Sequence, residues 1–508
     1  MRQELAEVAA SYHRVGLASI VSRVSLLQLL VLHCSFILIL LLMKTLRIAA
    51  LGLILGAGYQ PAVRAQGPAL ATFAVGTTTV TASALATNRN TIWELVWGPD
   101  NFLWMTERAG QISRVDPATG QVLPLLTVSD VTQTGESGLL GMAVTAATTA
   151  GTYWVFVAYN YTDQGALKEK LVRYTYANGT ISSPTVLLGN ITATTTHSGS
   201  RLLVLADRTL LMTTGDAQQQ PQAQNTASLN GKILRLNLDG TIPANNPIAG
   251  NPMYTFGHRN PQGLLQLADG RIYSSEHGPN NDDEINKIEI GRNYGWPNVE
   301  GLCNLPAEAT FCAANNVREP LTTWTPTVAP AGLAYYDHPA IPDWRGSLLL
   351  GTLGGSRLMQ LTLDASGLTI PTRTNYLSGF GRLRAVCVSP QGKVYIGTSN
   401  RDGRGIPAST DDRILVLENR AYVATATASA SNAAAFELFP NPAQRQTTVR
   451  LAAPARTLIV RDLLGRILLT TQPTGLTATL NLAGLRAGTY LVQADGPAGR
   501  NTQKLTVE

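Results

Sequence analysis

Leu265-Gln266-Leu267-Ala268-Asp269-Gly270-Arg271-Ile272-Tyr273 is the stretch on which the reading of this chain turns. Apolar residues flank an Asp-Gly turn, the mark of two short strands folded back on each other. The same strand-turn-strand unit returns as Val96-Trp97-Gly98-Pro99-Asp100-Asn101-Phe102-Leu103-Trp104. It returns again as Leu203-Val204-Leu205-Ala206-Asp207-Arg208-Thr209-Leu210-Leu211 and as Val388-Ser389-Pro390-Gln391-Gly392-Lys393-Val394-Tyr395. Further apolar runs follow these units: Ile112-Ser113-Arg114-Val115, Ile233-Leu234-Arg235-Leu236, Leu358-Met359-Gln360-Leu361 and Ile414-Leu415-Val416-Leu417. Between Gln66 and about Arg420 helical periodicity is almost absent. Repeated four-stranded units predict an all-β chain built as a β-propeller, in which radial repetition leaves few sheet edges exposed. A two-sheet sandwich is the alternative, but a stretch of roughly 350 residues exceeds its usual size.

The composition agrees with a turn-rich β protein. Charged residues make up 14% of the 508, against roughly 25% in ordinary soluble proteins. The formal charge of +6 is misleading. Residues 1–65 hold six basic groups and two acids, so only +2 belongs to the rest. No basic stripe points to phosphate partners, and nucleic-acid binding is excluded as a function class.

The N-terminus carries an export signal. Met43-Lys44-Thr45-Leu46-Arg47 is a short positive region, Ile48 to Ala57 is apolar, and Val63-Arg64-Ala65 predicts cleavage before Gln66. Upstream, Leu26 to Leu42 is a second apolar run of marginal spanning length. Two readings stay open there: a start assigned too early, with Met43 the true one, or a membrane anchor. The complete signal at Met43 favours the first. In an exported protein, Cys303 and Cys312, flanking a loop, predict a disulfide. Cys387, within an apolar strand, predicts a buried inert thiol.

After Arg420 the composition shifts. Residues 421–435 are rich in Ala, Ser and Thr without charge and read as a linker. Residues 436–508 form a separate small β unit, read as a sandwich. Its motifs are Phe436-Glu437-Leu438-Phe439-Pro440-Asn441-Pro442-Ala443, Leu458 to Arg466 and Leu482 to Val492. In that order they resemble the C-terminal sorting domain of the bacterial type IX secretion system. The resemblance implies export through periplasm and outer membrane to the cell surface or beyond. A carbohydrate-binding or adhesive sandwich is the competing reading.

Three polar clusters carry chemistry. In Thr196-His197-Ser198-Gly199-Ser200-Arg201-Leu202, an imidazole precedes a strand, and Gly215-Asp216 follows the next one. A carboxylate orienting a histidine is an arrangement for taking a proton near neutral pH. Gly257-His258-Arg259-Asn260-Pro261-Gln262-Gly263 packs a cation and two amides into a turn whose glycines allow close approach of a ligand. Ser275-Glu276-His277-Gly278-Pro279-Asn280-Asn281-Asp282-Asp283-Glu284-Ile285-Asn286 offers carboxylates, amides and carbonyls suited to a hard cation such as calcium. Read singly, each cluster is also compatible with an ordinary solvated turn.

Together they resemble the glucose/sorbosone dehydrogenase family, the soluble sugar dehydrogenases that use pyrroloquinoline quinone (PQQ). The series HxGxRL, GHRNPQG, HGPNNDDEIN, Gly291-Arg292-Asn293-Tyr294-Gly295-Trp296-Pro297 and Gly381-Arg382-Leu383-Arg384 occurs in family order over residues 88–420. The resemblance implies a six-bladed propeller with the cofactor in a cleft at one end. It implies that His197 is the general base for the anomeric hydroxyl and Asp216 its orienting carboxylate. Arg259 then lies beside the quinone oxygens with Asn260 as polar neighbour, and Arg382 and Arg384 contact PQQ, whose carboxylates suit guanidinium. Carbonyls of Gly278 and Pro279 match ligands of the catalytic Ca2+, while Glu284 and the Tyr294 carbonyl resemble ligands of a second, structural one. The implied reaction passes hydride from an aldose to the quinone, leaving a lactone, and electrons then go to an external acceptor the sequence does not identify.

Departures from the family pattern are specific. Glu136 stands where glucose-specific members have glutamine near the cofactor, and Gly354 where they have a lysine. Thr196 stands where an acid often precedes the histidine. These changes place the chain nearer the broader aldose group. A calcium-dependent lactonase and a non-catalytic sugar-binding protein are the competing functions, but hydrolysis has no need of the three cations Arg259, Arg382 and Arg384.

Overall fold

A computed structural model of the chain describes residues 67–149, 151–423, 436–451, 455–462, 466–496 and 499–508. The leader and signal expected over residues 1–65 lie outside them, as does most of the expected linker. The Asp-Gly stretch forms the turn its pattern predicts. Strands Pro261–Gln266 and Ile272–Glu276 pair antiparallel, Gln266 opposite Ile272. Leu267 N–H donates to Arg271 O at 2.8 Å across the turn, and Gly270 has φ +92°, open to glycine at little cost.

Six such meanders follow one another. Five are four-stranded, over residues 92–127, 139–192, 199–256, 261–324 and 330–376. The sixth joins Leu383–Val388, Val394–Thr398 and Ile414–Glu418 to two strands from the other end of the sequence. There Thr78–Ala86 pairs with Ile414–Glu418, so the two ends of the repeat region close one sheet between them. The first strands of the sheets are Ile92–Trp97, Leu139–Ala146, Gly199–Val204, Pro261–Gln266, Pro330–Tyr336 and Leu383–Val388. Each lies beside the first strand of the sheets before and after it, and the sixth returns to the first.

The apolar core follows this ring. There is one buried cluster for each gap between neighbouring sheets rather than a single centre. Leu265, Tyr273, Leu348 and Met359, for example, fill the gap between the fourth and fifth sheets. Both faces of each sheet are therefore covered, which is why these strands read as apolar runs more than as strict alternation.

Antiparallel order places the start of every first strand and the end of every second strand at the same end of the ring. His197, Arg259 and Arg382 precede first strands, while Asp216 and Gly278 follow second ones. The repeat thus gathers polar clusters that lie far apart in sequence.

Two features differ from or refine the sequence reading. The span between Cys303 and Cys312, which are joined by a disulfide, is not simply a loop but carries the helix Pro306–Ala314. Pro306 opens it, and Glu308 accepts the Leu305 N–H at 3.1 Å. The C-terminal residues form two small sheets sharing one apolar cluster that includes Phe436, Val449, Leu458, Leu480, Val492 and Leu505. Cys387 is buried, and burial pushes its thiol up to about 12. No helix among the described residues is long and apolar enough to cross a membrane.

Candidate active site

His197 and Asp216 meet, with Nδ1 2.7 Å from Asp216 Oδ1. The contact needs a close approach of two chains. A β-carbon on Gly215 would lie 1.9 Å from His197 O, so only glycine fits before Asp216. His197 itself is left-handed at φ +58°, a conformation unusual for a non-glycine residue and costly unless its surroundings enforce it. Its N–H donates to Glu136 Oε2 at 3.3 Å. Asp216 is fully buried, accepts Gln218 N–H at 2.8 Å, and takes the Trp296 indole N–H on Oδ2 at 2.8 Å. With Nδ1 held by this carboxylate, Nε2 is the nitrogen available as base.

Arg259 and Asn260 occupy a turn clamped from below. Both backbone N–H groups donate to Glu276 Oε1, that of Asn260 at 3.1 Å. Glu276 Oε2 meets His258 Nδ1 at 2.8 Å, and the His258 ring stacks on Tyr294. The Asn260 amide is turned inward, where Oδ1 accepts Gly199 N–H at 3.1 Å and Gln262 Nε2–H at 3.0 Å. It thereby ties the turn after His197 to the turn holding Arg259. The Arg259 guanidinium lies near the Trp296 ring and, among the described residues, donates to His277 O at 3.3 Å alone, while its buried Nε has no partner among them. Burial pushes its pKa down, as expected of a cation without a counter-ion in contact.

Arg382, Arg384 and Glu136 line a cavity of about 420 Å³ at this end of the ring. Arg382 Nε and Arg384 Nη2 share Asp402 Oδ2, at 2.7 and 3.7 Å. Burial pushes Arg384 down to about 10. Burial pushes the Glu136 carboxyl up, but His277, Arg404 and Arg384 around it outweigh burial and hold it below the usual range. Trp93, Arg108, Gln262, His277, Asp402 and Arg404 also line the cavity; Gln262 and His277 lie in the quoted motifs without an assigned role, and the sequence did not single out the other four. Arg108, His277 and Asp402 all follow the ends of second strands, a repeat position that the strand register could have flagged.

The lining fits an anion. Four arginines face two carboxylates, leaving a positive surplus in a cavity of small-molecule size. Gly354 contributes no cation here, and Arg108 and Arg404 share the lining with it.

Beside it, a cavity of about 20 Å³ is bordered by Glu276, Gly278, Pro279, Asp282, Glu284 and Tyr294, with room for one water-sized particle. Burial, followed by the nearby Glu276, pushes the Glu284 carboxyl well above its usual value. Buried carboxylates that repel each other fit a bound cation. Among the described residues no three His, Cys, Asp or Glu side chains group as a metal site. The donors named from sequence are mostly backbone carbonyls, as hard cations accept.

Residues 89–415 match the family described as Glucose / Sorbosone dehydrogenase, and residues 437–508 match the Secretion system C-terminal sorting domain. The chain is 32% identical to quinoprotein glucose dehydrogenase B of Acinetobacter calcoaceticus, over 61% of this chain and 83% of that protein. It is 28% identical to an aldose sugar dehydrogenase of Escherichia coli, over 62% and 89% respectively. Among solved structures it resembles the PQQ-bound aldose sugar dehydrogenase of Streptomyces coelicolor. That match has a TM-score of 0.59 and 32% identity, covering 67% of this chain and 98% of the other.

Proposed function

Because this chain belongs to the glucose/sorbosone dehydrogenase family, we propose that it oxidises aldoses to lactones with PQQ and calcium in the cavity described above. The observation that carries this reading is the His197–Asp216 pair at 2.7 Å beside a cavity whose cations outnumber its carboxylates. PQQ, when bound with calcium, supplies a polarised quinone that accepts two electrons. The chain's own residues do the rest. His197 Nε2 takes the proton of the anomeric hydroxyl, and Asp216 fixes the tautomer and stabilises the imidazolium that forms. Trp296 keeps Asp216 in place through its second oxygen. Arg259, Arg382 and Arg384 would hold the anionic cofactor, with Asn260 setting the turn beneath it and Glu136 in the cavity lining. Carbonyls of Gly278 and Pro279 would ligate the catalytic calcium and Glu284 with the Tyr294 carbonyl a structural one; the small cavity that all four border has room for one of these ions, and the other would sit outside it.

The ring of six sheets supports a six-bladed propeller over residues 66–420, and the two sheets of the tail support a small sandwich after a linker at 421–435. Reconstitution tests the function: purified protein given PQQ and calcium should reduce a dye when an aldose is added, and protein without PQQ should not.

The tail carries its own expectation. A sorting domain match marks the chain for export by the type IX pathway, while every residue assigned to the site precedes it. A chain spanning Gln66 to Arg420 should oxidise aldoses at the rate of the longer protein once given PQQ and calcium. The same deletion in a host with the type IX pathway should strand the enzyme in the periplasm. Lost activity in a truncation that circular dichroism shows folded would assign the tail to the enzyme. Undisturbed export would remove its sorting role.

A further inference from the structure

We propose that Arg404 is a specificity-determining residue that admits sugars bearing a carboxylate, such as uronic acids, to the cavity; the inference rests on the sugar-dehydrogenase reading above. Four arginines line the cavity; Arg108 and Arg384 are buried, Arg382 is largely so, and all three are committed to partners. Arg108 donates to Gly135 O at 2.7 Å, and Arg382 and Arg384 share Asp402. Arg404 differs from all of them. Its side chain is 61% exposed, and its guanidinium is paired with Glu136 Oε1 at 2.8 Å. Its backbone is nevertheless fixed, since Arg404 N–H donates to Asp402 Oδ1 at 2.9 Å. Space around the preceding Gly403 is open. The side chain is thus an exposed cation, with open space beside it, on a backbone held by Asp402.

The position of Glu136 gives that exposure a consequence. Its other oxygen accepts the His197 N–H at 3.3 Å, so two consecutive contacts link Arg404 to the residue read as the base. An ion pair with one partner mostly in water is weak and easily exchanged. A carboxylate on the substrate matches guanidinium with two parallel hydrogen bonds, which one oxygen of Glu136 does not provide. When Arg404 turns to that group, Glu136 keeps the His197 N–H and the field of Arg384, and its freed oxygen can accept a sugar hydroxyl. A neutral aldose leaves the Arg404–Glu136 pair closed.

The test is Arg404→Gln in the full chain loaded with PQQ and calcium, assayed on glucuronic acid and glucose, with quinone affinity measured separately by absorbance titration. The ratio of kcat/KM for glucuronic acid to that for glucose should fall about 10- to 100-fold, the range for losing a charged hydrogen bond. The loss should appear mainly in KM, and Arg404→Lys should restore part of it. An unchanged ratio overturns the proposal. So does a parallel loss on both sugars with weakened quinone binding, because Arg404 would then serve the cofactor. Wild-type protein that oxidises glucose but not glucuronic acid sinks this inference alone, whereas activity on neither sugar sinks the dehydrogenase reading with it.

Discussion

Replacing His197 by alanine is expected to lower aldose oxidation about 10²- to 10⁴-fold, the usual contribution of a general base, while PQQ binding stays largely intact. The separation follows from geometry. The imidazole is spent on Asp216, while the cations assigned to the cofactor hang on other turns: Arg259 on Glu276, Arg382 and Arg384 on Asp402. Alanine at φ +58° adds backbone strain, so a second substitution is informative. His197→Asn retains a residue that tolerates the left-handed region but supplies no base. Both variants should be equally inactive at saturating PQQ, with circular dichroism like that of the wild type. Turnover at the wild-type rate in either would remove His197 from the chemistry.

Exhaustive chelation is expected to abolish activity, and calcium with PQQ to restore it. Glu276, Asp282 and Glu284 border a cavity large enough for one ion, and burial with mutual repulsion already pushes Glu284 well above its usual value. Without a cation the repulsion is met only by protonation of Glu284, and the carbonyls of Gly278 and Pro279 have no ion to ligate. Melting should report this independently of turnover. A ligand at 100 times its Kd contributes about 2.7 kcal/mol of stability, so Tm should fall by several degrees on chelation and recover with calcium. Full activity and unchanged Tm in chelated protein would overturn the metal assignment.

Much of this was legible in the sequence, for identifiable reasons. Strand-turn-strand units such as Leu265 to Tyr273 announce themselves because short apolar runs around an Asp-Gly turn are local properties. The family was legible because its motifs are short and ordered, and the Cys303–Cys312 disulfide because export and spacing both pointed to it. Ring closure by Thr78–Ala86 against Ile414–Glu418 was not, since it joins strands more than 300 residues apart. Arg108, Asp402 and Arg404 escaped notice for a related reason. Alone each is an ordinary turn residue, and only the stacking of sheets brings them to one cavity. Asn260 shows the converse: a polar residue in a conspicuous motif whose amide faces inward to hold Gly199 and Gln262. The short helix Pro306–Ala314 was hidden by its weak apolar pattern.

The central claim, that His197 and the cation-rich cavity oxidise an aldose at its anomeric carbon, is tested most directly by a product balance. Purified protein loaded with PQQ and calcium is mixed anaerobically with glucose and a two-electron dye, and lactone and reduced dye are both quantified at early times. One lactone should form for each dye reduced, with neither forming when PQQ is withheld. Dye left oxidised by the loaded protein, or added lactone consumed without any dye reduction, would contradict the account and turn the same histidine and cavity toward hydrolysis.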